Sequence, residues 1–292
     1  MKNSMLIINP TAGSANALDF RDKIEKKLGA YFETVDTRIT EKAKDATKFA
    51  IEACEKKYDS VFAIGGDGTV NEVIAGLAEK KYRPKFGIIP GGTVNLLGRV
   101  IGLPMNIEET IDYFDFDKTK HIDIGKSNSS YFSYILSLGK VAEGIHNVDI
   151  EEKTKFGAFA YARSFIKNIA KDKTHHIKVE TENGVYEGDA SHVVVLLADY
   201  FGDFKIVDNN EDTDGYANVM ILKDSNLMSK INIIPDMIKG NIEKNDNIEF
   251  IKAKKIVISS SDDGIETDVD GDKGEYLPVE IKVLKNHLEV YC

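Results

Sequence analysis

Three short apolar runs near the start of the chain each stop at a glycine-bearing loop: "LIINPTAG" at 6–13, "FAIGGDGTVNEV" at 62–73 and "IIPGGTVN" at 88–95. After the second loop the apolar spacing changes from a continuous run to every third or fourth residue, at Val70, Val73, Ile74, Leu77 and Ala78. Continuous short runs read as buried strands, and the wider spacing reads as a helix. The intervening segments repeat the theme. Residues 18–28 carry Leu18, Ile24 and Leu28 at helical spacing, "FETVDTRIT" at 32–40 reads as a strand, and 45–58 as a helix with Ala46, Phe49, Ala50, Ala53 and Cys54 on one face. Strands alternating with helices of this length predict parallel crossovers and an open α/β sheet.

All three loops then fall at the carboxyl ends of parallel strands, on the rim where such sheets bind ligands. Gly65, Gly66 and Gly68 let backbone N–H groups approach an anion closely, and the following helix offers its positive end. Thr69 is expected to cap that helix through its hydroxyl. A tight turn without a ligand would use the same glycines, but three convergent loops favour a phosphate cradle. Asp67 would repel phosphate unless a divalent cation intervened, which implies Mg2+. Familiar templates fail: Gly139-Lys140 is followed by Val141, so there is no P-loop, and Gly66, Gly68 and Asn71 give G-x-G-x-x-N rather than a dinucleotide fingerprint.

After about residue 122 the texture changes. "YFSYILSL" (131–138), "HIKVETENGVYEGDA" (176–190), "SHVVVLLA" (191–198), "YANVMILK" (216–223), "KIVISS" (255–260) and "VEIKVLKNHLEVY" (279–291) read as strands. Asn183-Gly184 predicts a two-residue hairpin turn, helices are expected at 156–171 and 227–239, and His175 and His176 read as a solvated loop. The second domain is therefore a mainly antiparallel, β-rich one, expected to pack closely on the first around a cleft. A length of 292 residues accommodates two domains. The formal charge of −10 repels nucleic acid and leaves anionic lipid to a local basic patch. One such patch is 151–178, with seven Lys or Arg against three Asp or Glu and interleaved aromatics, suited either to packing on the sheet or to peripheral membrane contact. Two distant cysteines, Cys54 and Cys292, fit a reducing cytosol. The N-terminus lacks the pattern of a secretory signal, and the longest apolar run, 193–198, is far too short for a membrane span. The expectation is a cytoplasmic protein, with transient membrane association left open.

"GGDGTVNEV" with "NPTAG" and "PGGTVN" resembles the diacylglycerol kinase catalytic domain family, in particular its soluble bacterial lipid kinases. "HIDIG" (121–125), "DTDGYANVMIL" (212–222) and "DGDKGEYLP" (270–278) follow in that family's order, so the resemblance spans nearly the whole chain. It implies a nucleotide-binding α/β domain like that of phosphofructokinases and NAD kinases, over 1–122 with roughly 286–292 returning to it. It implies a sandwich-like β-rich lipid-substrate domain over 123–285, ATP as phosphoryl donor, Mg2+, and a lipid hydroxyl as acceptor.

The resemblance also distributes roles. Asn9, Pro10, Thr11, Ala12, Gly13, Thr40, Gly65, Gly66, Asp67, Gly68, Thr69, Val70, Asn71, Glu72, Gly92, Thr93 and Asn95 would hold the nucleotide. Asp67 and Asp123 would join a magnesium and water network, although Asp123 also reads as a strand-end turn residue. The family commonly has Asp-Gly-Glu with the glutamate as base; here Asp270-Gly271-Asp272 stands in its place, so Asp272 inherits the role with a side chain one methylene shorter, and Asp270 is next in line. Asp214, with the backbone carbonyls of Glu211 and Tyr216, would hold a structural ion, for which oxygen-only ligation suits Mg2+. An EF-hand reading of Asp268, Asp270 and Asp272 fails at Lys273, where glycine is required. Diacylglycerol is the default acceptor. A soluble acceptor such as NAD or a sugar, a nucleotide-binding regulator without transfer activity, and a homodimer stay open.

Overall fold

The computed structural model describes residues 2–12, 17–138, 173–201, 204–205, 214–223, 233, 236 and 242–292. Gly13, Glu211, the helix expected at 156–171, nearly all of the one expected at 227–239 and most of the basic stretch 151–178 lie outside the described residues. The chain divides into two compact units, 1–124 with 286–292, and 125–285.

In the first unit, β1 (Asn3–Ile8), β2 (Thr34–Ile39), β3 (Ser60–Gly65) and β4 (Lys85–Pro90) form a parallel sheet in the order β4-β3-β1-β2. The helices are α1 (Arg21–Gly29), α2 (Asp45–Glu55), α3 (Asp67–Leu77), α4 (Leu96–Val100) and α5 (Ile107–Tyr113). β3 is buried along its whole length and β1 and β4 over five of six residues, which is why they read as continuous apolar runs. β2 has no fully buried residue. The strand order places the topological switch point between β1 and β3, where successive crossovers leave in opposite directions. The C-terminal Val290 pairs with Phe86 of β4. Tyr291 stacks on Phe62 at 5.2 Å, and its hydroxyl meets Ser60 Oγ at 2.6 Å inside an aromatic cluster with Phe114 and Phe116. Burying each such ring contributes roughly 2–3 kcal/mol.

The second unit is antiparallel and β-rich. β5 (Thr119–Ser127) and β17 (Val279–Tyr291) each have residues in both units. β6 (Ser130–Phe132), β7 (Ile135–Leu138), β8 (His175–Thr181), β9 (Gly184–Leu196), the short pair β10 (Tyr200–Phe201) and β11 (Phe204–Lys205), β12 (Ala217–Lys223), β13 (Ile248–Ala253), β14 (Lys255–Ser260), β15 (Glu266–Val269) and β16 (Asp272–Tyr276) complete it. β9 is its spine, pairing with β7, β8 and β12, and Val193, Val195, Val219, Ile221, Ile256 and Ile258 fill the core.

Four expectations are corrected. The strand over 131–138 is two strands, because three successive N–H groups of Ser133, Tyr134 and Ile135 turn onto the Asp270 carboxylate. The hairpin between β8 and β9 turns at Glu182-Asn183, with Thr181 paired to Gly184, because the Thr181 hydroxyl accepts the N–H groups of Asn183 and Gly184. His175 and His176 open β8 and pair with Asp262 and Asp189. Asp123 lies within β5, buried, rather than at a strand-end turn.

Candidate active site

The loops after β1 and β3 meet at the switch point. Asn9 donates from Nδ2 to Thr69 Oγ1 at 2.9 Å, and its Oδ1 accepts from Thr11 N at 3.1 Å and Thr11 Oγ1 at 3.0 Å. Asn9 thereby ties its own loop shut and to the first turn of α3. Thr69 is inside that turn and does not cap it: α3 begins at Asp67, three residues earlier than a Thr69 cap requires, with Gly66 as its N-cap.

The glycines make close backbone approach possible. Gly91 N donates to Gly65 O at 2.8 Å, locking the loop after β4 to the loop after β3. A Cβ on Gly92 would stand 2.6 Å from Gly66 Cα, and one on Gly65 2.5 Å from Thr69 Cβ. Gly65 is thus fixed by packing on the first turn of α3 and Gly92 by loop-on-loop packing, whatever else the loops hold.

A cavity of about 590 Å³ opens here, lined by Asn9, Pro10, Thr11, Ala12, Thr40, Gly66, Gly68, Thr69 and Glu72. Its remaining wall is Ile39, Glu41, Lys42, Ala43 and Ala46, running from the end of β2 into α2. Of these, sequence reasoning reached only the neighbouring Thr40. The signal was available, since the end of β2 belongs to the same rim as the glycine loops. Gly65, Asp67, Val70, Asn71, Gly92, Thr93 and Asn95 do not line the cavity; Val70 is a core residue and Thr93 is exposed.

The carboxylates around the cavity are occupied in a consistent way. Asp67 accepts Asn95 N on Oδ2 at 2.9 Å and Leu96 N on Oδ1 at 2.5 Å, so it holds the start of α4. Glu72 accepts Lys44 N on Oε1 at 2.8 Å and Ala46 N on Oε2 at 3.1 Å, at the start of α2. Asp45 accepts the N–H groups of Glu41 and Lys42, both at 3.1 Å, and these bonds hold its carboxyl below the usual range. The amides opening α2 and α4 are thereby claimed by carboxylates of the protein itself. Among the described residues the start of α3 carries no such side-chain cap, and Gly66 and Gly68 present it to the cavity. A helix start of that kind attracts anions through its N–H groups and dipole.

The Asp67 carboxylate is satisfied by amides, so its charge does not by itself demand a cation, contrary to the sequence argument for Mg2+. Among the described residues no group of three or more His, Cys, Asp or Glu side chains is set to hold a metal ion. The expected structural ion site also differs from an oxygen cage. The Asp214 carboxylate pairs with the Lys252 ammonium and accepts Tyr216 N at 2.8 Å, while Lys285 Nζ donates to Asp214 O at 3.2 Å. One ammonium thus occupies the Asp214 carboxylate and the other its backbone carbonyl, while Glu211, a further expected ligand, lies outside the described residues.

Asp123 accepts Asn286 N at 2.7 Å where β5 and β17 meet. Asp270 is 4% exposed, and its two oxygens take the N–H groups of Ser133, Tyr134 and Ile135 and the Ser133 hydroxyl. Burial pushes its pKa up to about 6 against those bonds, so it is ionised at neutral pH and structurally committed. Asp270 and Gly271 have φ of +50° and +92° and form the two-residue turn between β15 and β16. Asp-Gly is the residue pair such a turn requires. Asp272 follows it, exposed, as the first residue of β16.

Residues 3–127 match the diacylglycerol kinase catalytic domain, and residues 139–292 match the YegS C-terminal NAD kinase beta sandwich-like domain. A Streptococcus pneumoniae serotype 4 protein, provisionally named a lipid kinase, is 56% identical over 291 residues, spanning 100% of this chain and 98% of its own. A Staphylococcus saprophyticus diacylglycerol kinase is 36% identical over 295 residues, spanning 99% and 95%. A solved Bacillus anthracis structure, provisionally assigned as a diacylglycerol kinase, superposes with a TM-score of 0.81 at 31% identity, over 100% of this chain and 95% of that one. Among the described residues no helix is long and apolar enough to cross a membrane.

Proposed function

This chain belongs to the diacylglycerol kinase family, and we propose that it transfers the γ-phosphoryl group of ATP to a lipid hydroxyl, with diacylglycerol as the first candidate and phosphatidic acid as its product. The observation that carries this reading is the cavity at the β1/β3 switch point. It receives the start of α3, which no described side chain caps, while the amides opening α2 and α4 are engaged internally. A triphosphate satisfies such a helix start, and the Asn9–Thr69 bond holds the two loops at the distance at which Gly66 and Gly68 face the cavity.

Phosphoryl transfer depends mainly on positioning and on neutralising charge. Asn9 to Ala12, Thr40, Gly66, Gly68 and Thr69 bind and orient the phosphate chain. Mg2+, when bound with the nucleotide, would supply charge neutralisation there. In the transfer the bond between the β,γ-bridging oxygen and the γ-phosphorus breaks as the acceptor oxygen bonds to that phosphorus. ADP leaves, and the hydroxyl proton passes to Asp272. Asp270 cannot take that role while four donors occupy its oxygens. Asp123 acts by holding the backbone at Asn286.

A second reading, a nucleotide-binding regulator without transfer activity, is favoured by one feature: the base position carries the shorter aspartate. The deciding experiment is labelled ATP with mixed micelles of diacylglycerol, other lipid alcohols, or soluble acceptors. Label in a lipid product supports the proposal. Label only in a soluble acceptor, or ATP binding without any product, overturns it.

A further inference from the structure

We infer that Glu72 is a positioning residue which fixes the wall of the cavity formed by residues 40–46, rather than a ligand of nucleotide or metal; this rests on the nucleotide reading of the cavity. Both its carboxylate oxygens are already engaged, one by Lys44 N and one by Ala46 N. Its backbone carbonyl accepts the Thr47 hydroxyl at 2.9 Å, so side chain and main chain both grip the start of α2. The grip is close because Gly76, one turn further along α3, leaves no Cβ between the helices: one built there would stand 2.6 Å from Ala50 Cβ and from Thr47 O. Lys44 adopts a left-handed conformation, φ +69°, in which its N–H meets Glu72. From the other side Asp45 binds the amides of Glu41 and Lys42. Four amides of the wall are thus pinned by two carboxylates.

The consequence is a coupling through α3. Its first residues form the anion cradle, and Glu72, five residues on, sets the wall that completes the cavity. With about 1.5 Å rise per residue the two are roughly 7–8 Å apart on one rigid element. Loss of the clamp releases the wall and weakens nucleotide capture without removing a group from the reacting atoms.

Amide exchange on the nucleotide-free full chain tests this independently of whether the chain phosphorylates any lipid. Glu72→Ala is expected to speed exchange at Lys44 and Ala46 by at least about tenfold, as expected for losing a hydrogen bond to a charged acceptor. Glu72→Gln keeps one acceptor and should protect one of the two amides. In steady-state assays Glu72→Ala should raise the KM for ATP about tenfold with kcat falling less than threefold, and Glu72→Gln should lie between it and the parent. Unchanged exchange at both amides overturns the inference even if ATP turnover is normal. So does a collapse of kcat, equal in the Ala and Gln variants, with KM unmoved, because that is the signature of a charged ligand. If Glu72→Ala does not fold, the exchange pattern and the KM of Glu72→Gln decide on the same terms. Should no turnover be found with any acceptor, the proposed function fails while the exchange result still stands.

Discussion

Replacing Asp67 separates a carboxylate that bears a cation from one that holds the protein's own backbone. In Asp67→Ala the N–H groups of Asn95 and Leu96, now at 2.9 and 2.5 Å from its oxygens, lose their acceptor. A hydrogen bond to a charged group contributes about 1.5–3 kcal/mol, so the pair sets a ceiling near 6 kcal/mol. Asp67 is only partly buried, and water can reach the released amides, which brings the expected loss to about 2–3 kcal/mol. Asp67→Asn keeps one acceptor but turns its amide toward the second N–H, and should lose about half as much. The loop after β4 would loosen in both, moving Gly91 and Gly92 away from Gly65 and Gly66 and opening the cradle. Urea unfolding followed by tyrosine fluorescence, in a chain without tryptophan, gives the stability change, and ADP formation gives the activity, expected to fall at least about a hundredfold in Asp67→Ala. Stability within about 0.5 kcal/mol of the parent in Asp67→Ala would refute the clamp and return Asp67 to the role of a plain cation ligand.

Three other outcomes follow from the same geometry. Gly92→Ala places a methyl 2.6 Å from Gly66 Cα, so it should push the loops apart and weaken ATP binding at least tenfold by calorimetric titration, whereas a Gly102→Ala control has open space around it and tests strain alone at φ +84°. Asp270, with a pKa of about 6 in the fold against 3.8 as the ordinary value, holds its proton more tightly when folded. Its contribution is therefore greatest below pH 4 and declines by about 3 kcal/mol as the pH rises through 6. Asp270→Asn should lack that decline, and parallel pH profiles for the two chains would contradict it. Asp272→Asn should suppress transfer while leaving ATP binding and stability unchanged, because the side chain is exposed, and Asp272→Glu, restoring the longer arm, should match or exceed the parent in product formed per minute.

The parallel sheet was legible because strands buried on both faces announce themselves as continuous apolar runs, as in "SVFAIG" of β3. The rim loops were legible for a related reason: glycine is conspicuous, and Gly65 and Gly92 sit where a Cβ would collide. What those loops grip was not. The partners of Asp67 are 28 and 29 residues downstream, and those of Glu72 are 28 and 26 residues upstream, and no periodicity reports a carboxylate-to-amide bond across such spans. The wall at 39–46 is polar and partly exposed, so hydropathy passes over it. In "DVDGDKGE" the opposite happened. Asp-Gly is a plain hairpin signal, but the density of carboxylates drew the reading toward chemistry, and only the four donors on Asp270 separate its structural role from that of Asp272.

A crystal of the full chain soaked with a non-hydrolysable ATP analogue and Mg2+ puts the whole account at risk at once. Phosphate density against Gly66 and Gly68 at the start of α3, walled by Asn9 to Ala12 and by residues 40–46, is the result expected. Ordered nucleotide elsewhere on the chain, with that cavity holding only solvent, would contradict it.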